Sequence, residues 1–362
     1  MEIEVSGIRS NAATDLLRDI EPPSEVWRQQ ARAHLDTLTK PLGSLGRLED
    51  LVAQIVAIRQ ESFAKPIGKG VYIFAADHGI TAEGVSAYPR EVTYQMVLNF
   101  LREGAAVNVL ARLHGAELHV VDVGVDADFD NIPGLLHHKV ARGTQNMLHG
   151  PAMSEEQMAQ AISIGMNIAA NAVAAEKTMI AIGEMGIGNT TSASAITCAL
   201  TGAPAAKSTG RGTGVDSKAH AHKVAVVEAI GKKHFGASPA TSPFDILRCV
   251  GGLEIAAMVG MTLAAARHKL VIVVDGFIST AAAALAVAIT PAVQGYLIAG
   301  HQSEEPGHRL LLDHLHLTPI LTLNMRLGEG TGAVLAMPIL ESAIALYTQM
   351  ATFSSAGVSE AS

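Results

Sequence analysis

Hydrophobic positions along this chain keep two different rhythms. Near the start, Leu48, Leu51, Val52, Ile55 and Ile58 fall at helical spacing, and Pro22-Pro23-Ser24 stands where an earlier helix would begin. The connector Lys40-Pro41-Leu42-Gly43-Ser44-Leu45-Gly46-Arg47 is rich in turn formers, and the second helix is expected to begin near Ser44. After the linker Lys65-Pro66-Ile67-Gly68-Lys69-Gly70 the rhythm changes. Short apolar runs of β type occur at 71–76, 118–123, 178–182 and 270–274, with a less regular one at 296–299. Helical stretches such as 91–113, 154–175, 192–200 and 333–350 lie among them. That alternation predicts an α/β fold, a parallel sheet with helices on both faces.

The ends of the apolar runs carry polar groups and glycines: Asp77-His78-Gly79, Asp122-Val123-Gly124, Gly183-Glu184-Met185-Gly186, Asp275-Gly276-Phe277 and Gly300-His301-Gln302. In open parallel sheets ligands bind beyond the carboxyl ends of the strands, so these endings describe one shared crevice. The most informative is the segment 183–191, which reads as strand end, glycine turn and helix start. Gly183, Gly186 and Gly188 let the backbone approach a ligand, and the helix beginning at Asn189 and Thr190 points free N–H groups at it. A phosphate suits such a turn; an ordinary βα loop with Asn-Thr-Thr as a cap is the other reading. The spacing is neither G-x-G-x-x-G nor a Walker loop, which argues against a dinucleotide-dependent oxidoreductase.

Composition narrows the partners. The 362-residue chain is 49% hydrophobic and carries a formal net charge of −8. It has the bulk for a large core and lacks the basic surface that nucleic acid requires. Its only cysteines, Cys198 and Cys249, lie in apolar surroundings without metal-ligand spacing, which suits a reducing, cytoplasmic setting. The first residues lack the pattern of a signal peptide. The apolar stretch 255–298 is divided by Arg267-His268-Lys269, Asp275 and Pro291 into pieces too short to span a membrane, so a buried helix–strand–helix is expected.

Several side chains could carry chemistry. Glu329, between Gly328 and Gly330 ahead of a long apolar helix, is displayed on a loop where a partly dry pocket would raise its pKa toward neutrality and make it a general base. Alternatively it is a helix-terminal glutamate held by the dipole. Glu184 would repel a phosphate, so a structural or base-assisting role suits it better. Lys223, and Arg211 in the second glycine loop 209–214, are candidate phosphate cations or solvated surface groups. His220 with His222 and His314 with His316 lack further ligands at metal-binding spacing. No nucleophile elbow is present.

Taken together, the motifs resemble the nicotinate-nucleotide:dimethylbenzimidazole phosphoribosyltransferase family over nearly the whole chain. The resemblance rests on Lys40-Pro41-Leu42-Gly43-Ser44-Leu45-Gly46-Arg47-Leu48-Glu49, Ala76-Asp77-His78-Gly79, Glu83-Gly84-Val85-Ser86-Ala87-Tyr88-Pro89, the 183–191 loop, Asp275-Gly276-Phe277, Arg326-Leu327-Gly328-Glu329-Gly330 and Ala336-Met337-Pro338-Ile339. It implies transfer of the phosphoribosyl group from nicotinate mononucleotide to 5,6-dimethylbenzimidazole with inversion at the anomeric carbon, without metal or other cofactor. By resemblance, Glu329 is the catalytic glutamate and Glu184 an accessory carboxylate. The resemblance also implies that Gly183, Gly186, Gly188, Asn189, Thr190 and Lys223 hold the phosphate, with Arg211 a further candidate from its own glycine loop, and that Ser86, Tyr88, Gln95, Met96 and Leu327 line the base pocket. Tyr88 and Met96 stand where other members can carry smaller or polar groups, which leaves open another acceptor, such as a purine or a phenol. A non-catalytic nucleotide sensor is the remaining alternative. The family's arrangement implies a Rossmann-like large domain over 66–339, a small helical domain from 1–65 with 340–362, and a homodimer with no nucleic-acid partner and no membrane span.

Overall fold

The computed structural model describes residues 20–61, 63, 67–129, 132–212, 214, 216–236 and 242–359. The N-terminal segment 1–19, Lys65 and Pro66 of the expected linker, Thr213 of the second glycine loop and the last three residues lie outside them.

Among the described residues six strands, β1 (Lys69–Ala76), β2 (Glu117–Gly124), β3 (Leu135–His137), β4 (Met179–Met185), β5 (Val271–Val274) and β6 (Leu297–Ala299), form one sheet in the order β3-β2-β1-β4-β5-β6. Every pairing is parallel. All residues of β1 and β5, and all but the last of β4, are buried. Strands covered on both faces have no solvent side to encode, which is why they read as continuous apolar runs. The order reverses between β1 and β4, so a crevice opens outside their carboxyl ends, the position ligands take in such sheets.

Helices follow local rules. α1 (Glu25–Thr37) starts at Ser24, whose hydroxyl accepts from the Trp27 N–H, and α2 (Arg47–Arg59) follows the turn-rich connector. A short 3-10 turn, Gly79–Glu83, leaves β1. The expected helix over 91–113 is two helices, α3 (Val92–Leu101) and α4 (Ala106–Leu113). Between them Glu103 takes a left-handed φ of 60°, and the Asn108 side chain accepts from Ala105 N at 3.1 Å while donating to Phe100 O at 2.9 Å. Those bonds compete with continuous helix, as short amide side chains do. α5 (Glu155–Ala174) opens on a reciprocal cap, with Ser154 Oγ accepting from Gln157 N and Gln157 Oε1 from Ser154 N.

α6 (Asn189–Thr201), α7 (Ala205–Ser208), α8 (Ser217–Phe235) and α9 (Pro243–Val250) come next. The stretch that raised a membrane question is α10 (Leu253–Arg267), β5 and α11 (Phe277–Ile289), a buried helix–strand–helix. α12 (Pro306–His314), α13 (Thr331–Gln349) and α14 (Phe353–Ala356) follow. Among the described residues α13 is the one helix long and apolar enough to cross a membrane, and half of its apolar window is buried inside the protein. α2 packs against α1 and α13, so helices from early and late in the chain lie together.

Candidate active site

At the end of β4 the chain turns through Gly186 and Gly188 into α6, Gly188 serving as N-cap at φ 99°. The turn is tied to its neighbour by Ile187 N, which donates to the buried Thr93 Oγ1 of α3 at 3.1 Å. Thr190, in the first turn of α6, accepts from Lys223 Nζ at 2.7 Å. Lys223 is 1% exposed, and burial pulls its pKa down to about 8 against the opposing charge of Glu305. The second glycine loop closes over it: Gly212 N donates to Glu305 Oε1 at 2.9 Å, and a Cβ on Gly212 would lie 2.9 Å from Lys223 Nζ. A buried ammonium thus stands between two glycine-rich loops, an arrangement fit for an anion. Arg211 is exposed on the same loop and donates to Ser217 Oγ at 3.0 Å.

Glu184 projects from β4 into a buried site. Asn189 Nδ2 and the Glu329 backbone N–H both donate to its carboxylate, so the Asn189 amide is engaged with Glu184. Burial, reinforced by Glu254 and Asp275, still pushes its pKa up to about 8. Glu184 is therefore largely protonated at neutral pH.

Glu329 occupies an unusual turn. Gly328, Glu329 and Gly330 all have left-handed φ, at 81°, 63° and 86°, before α13 begins at Thr331. The free N–H groups at that helix start go to Asp275 at the end of β5: Oδ2 accepts from Gly330 N at 3.1 Å, and Oδ1 from Gly332 N at 2.7 Å and Ala333 N at 3.0 Å. Asp275, and not Glu329, takes the dipole of α13. The Glu329 carboxyl is buried, bonds to the Val107 N–H in the first turn of α4, and has one oxygen without a partner. Burial first and Asp275 second push its pKa up to about 7. Arg326 Nη1 donates to Gly212 O at 3.1 Å, joining the Glu329 loop to the second glycine loop.

The residues expected at a base pocket lie on segments flanking this cluster. Ser86 accepts from Tyr88 N at 3.2 Å on the loop after the 3-10 turn; Tyr88, Gln95 and Leu327 are exposed and Met96 is half-buried. Thr93 ties α3, the helix of Gln95 and Met96, to the Gly186 turn. His220 and His222 lie 2.9 Å and 2.7 Å from the carbonyls of Thr209 and Glu83. Among the described residues no His, Cys, Asp or Glu set is grouped to hold a metal ion.

Three groups at the site had no assigned role in the sequence: Asp275, Glu305, and the buried pair of His78 and Glu254, whose Nε2 and Oε1 are 2.5 Å apart beside the Gly186 turn. Asp275 was visible as a polar strand ending, whereas Glu305 precedes a short helix and carries no local signal.

Residues 20–358 match the phosphoribosyltransferase family profile. The chain is 50% identical over 353 residues to the nicotinate-nucleotide:dimethylbenzimidazole phosphoribosyltransferase of Geotalea uraniireducens, covering 97% of this chain and 99% of that protein. It is 48% identical to the enzyme of the same name from Chloroflexus aggregans, over 96% of this chain and 98% of that protein. The crystal structure of CobT from Thermus thermophilus superposes with a TM-score of 0.88 at 44% identity, covering 93% of this chain and all of that one.

Proposed function

This chain belongs to the nicotinate-nucleotide:dimethylbenzimidazole phosphoribosyltransferase family, and from that premise we propose that its crevice moves the phosphoribosyl group of nicotinate mononucleotide onto 5,6-dimethylbenzimidazole. The products are nicotinate and α-ribazole 5′-phosphate, the lower-ligand nucleotide of cobalamin. The observation that carries the residue assignment is Glu329, a buried carboxyl poised near neutrality with a free oxygen, next to a cradle that holds a buried lysine.

In this reading the Gly186–Gly188 turn, Thr190 and Lys223 hold the 5′-phosphate. Binding energy spent there keeps C1′ in place for attack. One ring nitrogen of dimethylbenzimidazole bonds to C1′ from the face opposite nicotinate. The C1′–N bond to nicotinate breaks, its electron pair leaving with the pyridine nitrogen, and the proton on the other benzimidazole nitrogen passes to the Glu329 carboxylate. Loss of that proton keeps the product ring neutral, so a base matched to neutral pH accelerates the step. Glu184, largely protonated, accepts the Glu329 N–H and supports the turn without adding full charge beside the phosphate site.

Ser86, Tyr88, Gln95, Met96 and Leu327 form the acceptor side in this account. Tyr88 and Met96 favour, as the second reading, the same transfer to another flat acceptor. Exposed apolar side chains at Leu42, Tyr88, Leu323 and Leu327 support a homodimer. The free thiols of Cys198 and Cys249 support a cytoplasmic setting. The test is a chromatographic product assay with nicotinate mononucleotide and a panel of dimethylbenzimidazole, benzimidazole, adenine and a simple phenol. Nicotinate release coupled to an α-linked dimethylbenzimidazole nucleotide is expected. Release only with another acceptor supports the second reading, and no release with any acceptor contradicts the transferase.

A further inference from the structure

Three backbone N–H groups that follow Glu329 converge on one side chain. Gly330 N, Gly332 N and Ala333 N reach the Asp275 carboxylate at 3.1, 2.7 and 3.0 Å, and Asp275 is 2% exposed. Its own N–H donates to Ser279 Oγ at 3.0 Å, which fixes the aspartate to the start of α11. Glu329 itself sits at φ 63°, a conformation that residues with a Cβ seldom adopt unless the surroundings impose it. We propose that Asp275 is a positioning residue for the transfer reaction: it clamps the turn that presents Glu329 and sets a second carboxylate beside the Glu329 side chain. The inference rests on Glu329 being the proton acceptor.

The charged surroundings single out Asp275. From β4, Glu184 bonds to the Glu329 N–H but is pushed to about 8 and so is mostly neutral at pH 7. Glu254 of α10 faces Glu184 and is paired with His78. From the end of β6, His301 lies 3.7 Å from Asp275 Oδ1, with neither ring nitrogen hydrogen-bonded. α4 contributes the Val107 N–H and no charged side chain in its first turn, and Arg326 donates to Gly212 O. Asp275 is accordingly the carboxylate that acts on Glu329, second to burial as the cause of its raised pKa.

The experiment is the pH dependence of kcat, at saturating nicotinate mononucleotide and dimethylbenzimidazole, for the wild type, Asp275→Asn, Asp275→Glu and Glu329→Gln. Because the substrates are common to all, their own titration cancels in the comparison. Asp275→Asn removes the charge and is expected to move the acid limb down by about one pH unit and to lower the plateau on the order of tenfold. Asp275→Glu keeps the charge but displaces the clamp; its plateau falls while its acid limb stays at the wild-type position. Nucleotide binding by each variant reports that the site is folded. An unmoved acid limb in folded Asp275→Asn overturns the proposal, as does a wild-type plateau in Asp275→Glu, which decides the matter if the asparagine variant does not fold. A Glu329→Gln variant with near-normal turnover instead removes the premise, and so the two failures are distinguishable.

Discussion

Lys223 Nζ donates to Thr190 Oγ1 across 2.7 Å, so a lysine from the second turn of α8 reaches the first turn of α6 with its ammonium almost wholly out of solvent. A buried cation is costly without a partner of opposite charge. Within the protein Glu305 meets part of that need, and a phosphate in the adjoining glycine turns would meet the rest.

Replacing this cation tests the anchor. Lys223→Met is expected to raise the Kd for nicotinate mononucleotide by about 10- to 150-fold, the equivalent of one charge-assisted hydrogen bond. Because burial lowers its pKa to about 8, the wild type should also lose affinity as pH rises through that value, and more steeply than the variant, in which only the carboxyl of Glu184 still titrates there. Calorimetric titration measures both; an unchanged Kd contradicts the anchor.

Gly186 makes a second test. A Cβ there would lie 2.5 Å from the Ala76 carbonyl oxygen and 3.2 Å from Glu254 Oε1, so the residue faces the end of β1. Gly186→Val should therefore cost roughly 1–3 kcal/mol of stability, as overpacking does, and weaken nucleotide binding with it. Thermal unfolding and a binding titration read the two effects, and a variant as stable as the wild type removes this account of the turn.

Stability should fall with rising pH across the range set by Glu184. Its pKa lies near 8 when folded against an ordinary 4.5, so the folded protein keeps a proton that the unfolded chain releases. The favourable contribution is complete below the unfolded value and is lost as pH climbs through the folded one. Glu329, raised to about 7, adds to the same slope. Glu184→Gln should show a smaller decline in Tm between pH 5 and pH 8 than the wild type. Parallel declines would count against a protonated Glu184.

What the sequence made legible follows from burial. β1, β4 and β5 are covered on both faces, and their apolar runs stand out without alignment or alternation. β3 was not foreseen because Leu135–His137 is a three-residue edge strand defined by its pairing with β2. The break between α3 and α4 depends on where the Asn108 side chain bonds, which periodicity does not report. At the site, Glu329 and the first glycine turn were conspicuous because glycines frame them. Lys223 was ambiguous, yet a signal existed: it shares a helical stripe with the buried Val226, Val227 and Ile230, an apolar face where a solvated lysine has no reason to be. Asp275 and Glu305 serve through partners far away in the chain, Gly330 and Gly212, and only the fold brings those together.

The assignment of Glu329 as the proton acceptor is tested most directly by turnover and nucleotide affinity in Glu329→Gln, measured side by side. The amide keeps the size of the side chain and can still accept the Val107 N–H, but it cannot take a proton. Nucleotide affinity within about threefold of wild type and a kcat lowered on the order of 10²- to 10⁴-fold is the predicted result. A kcat close to wild type, with affinity intact, would contradict it.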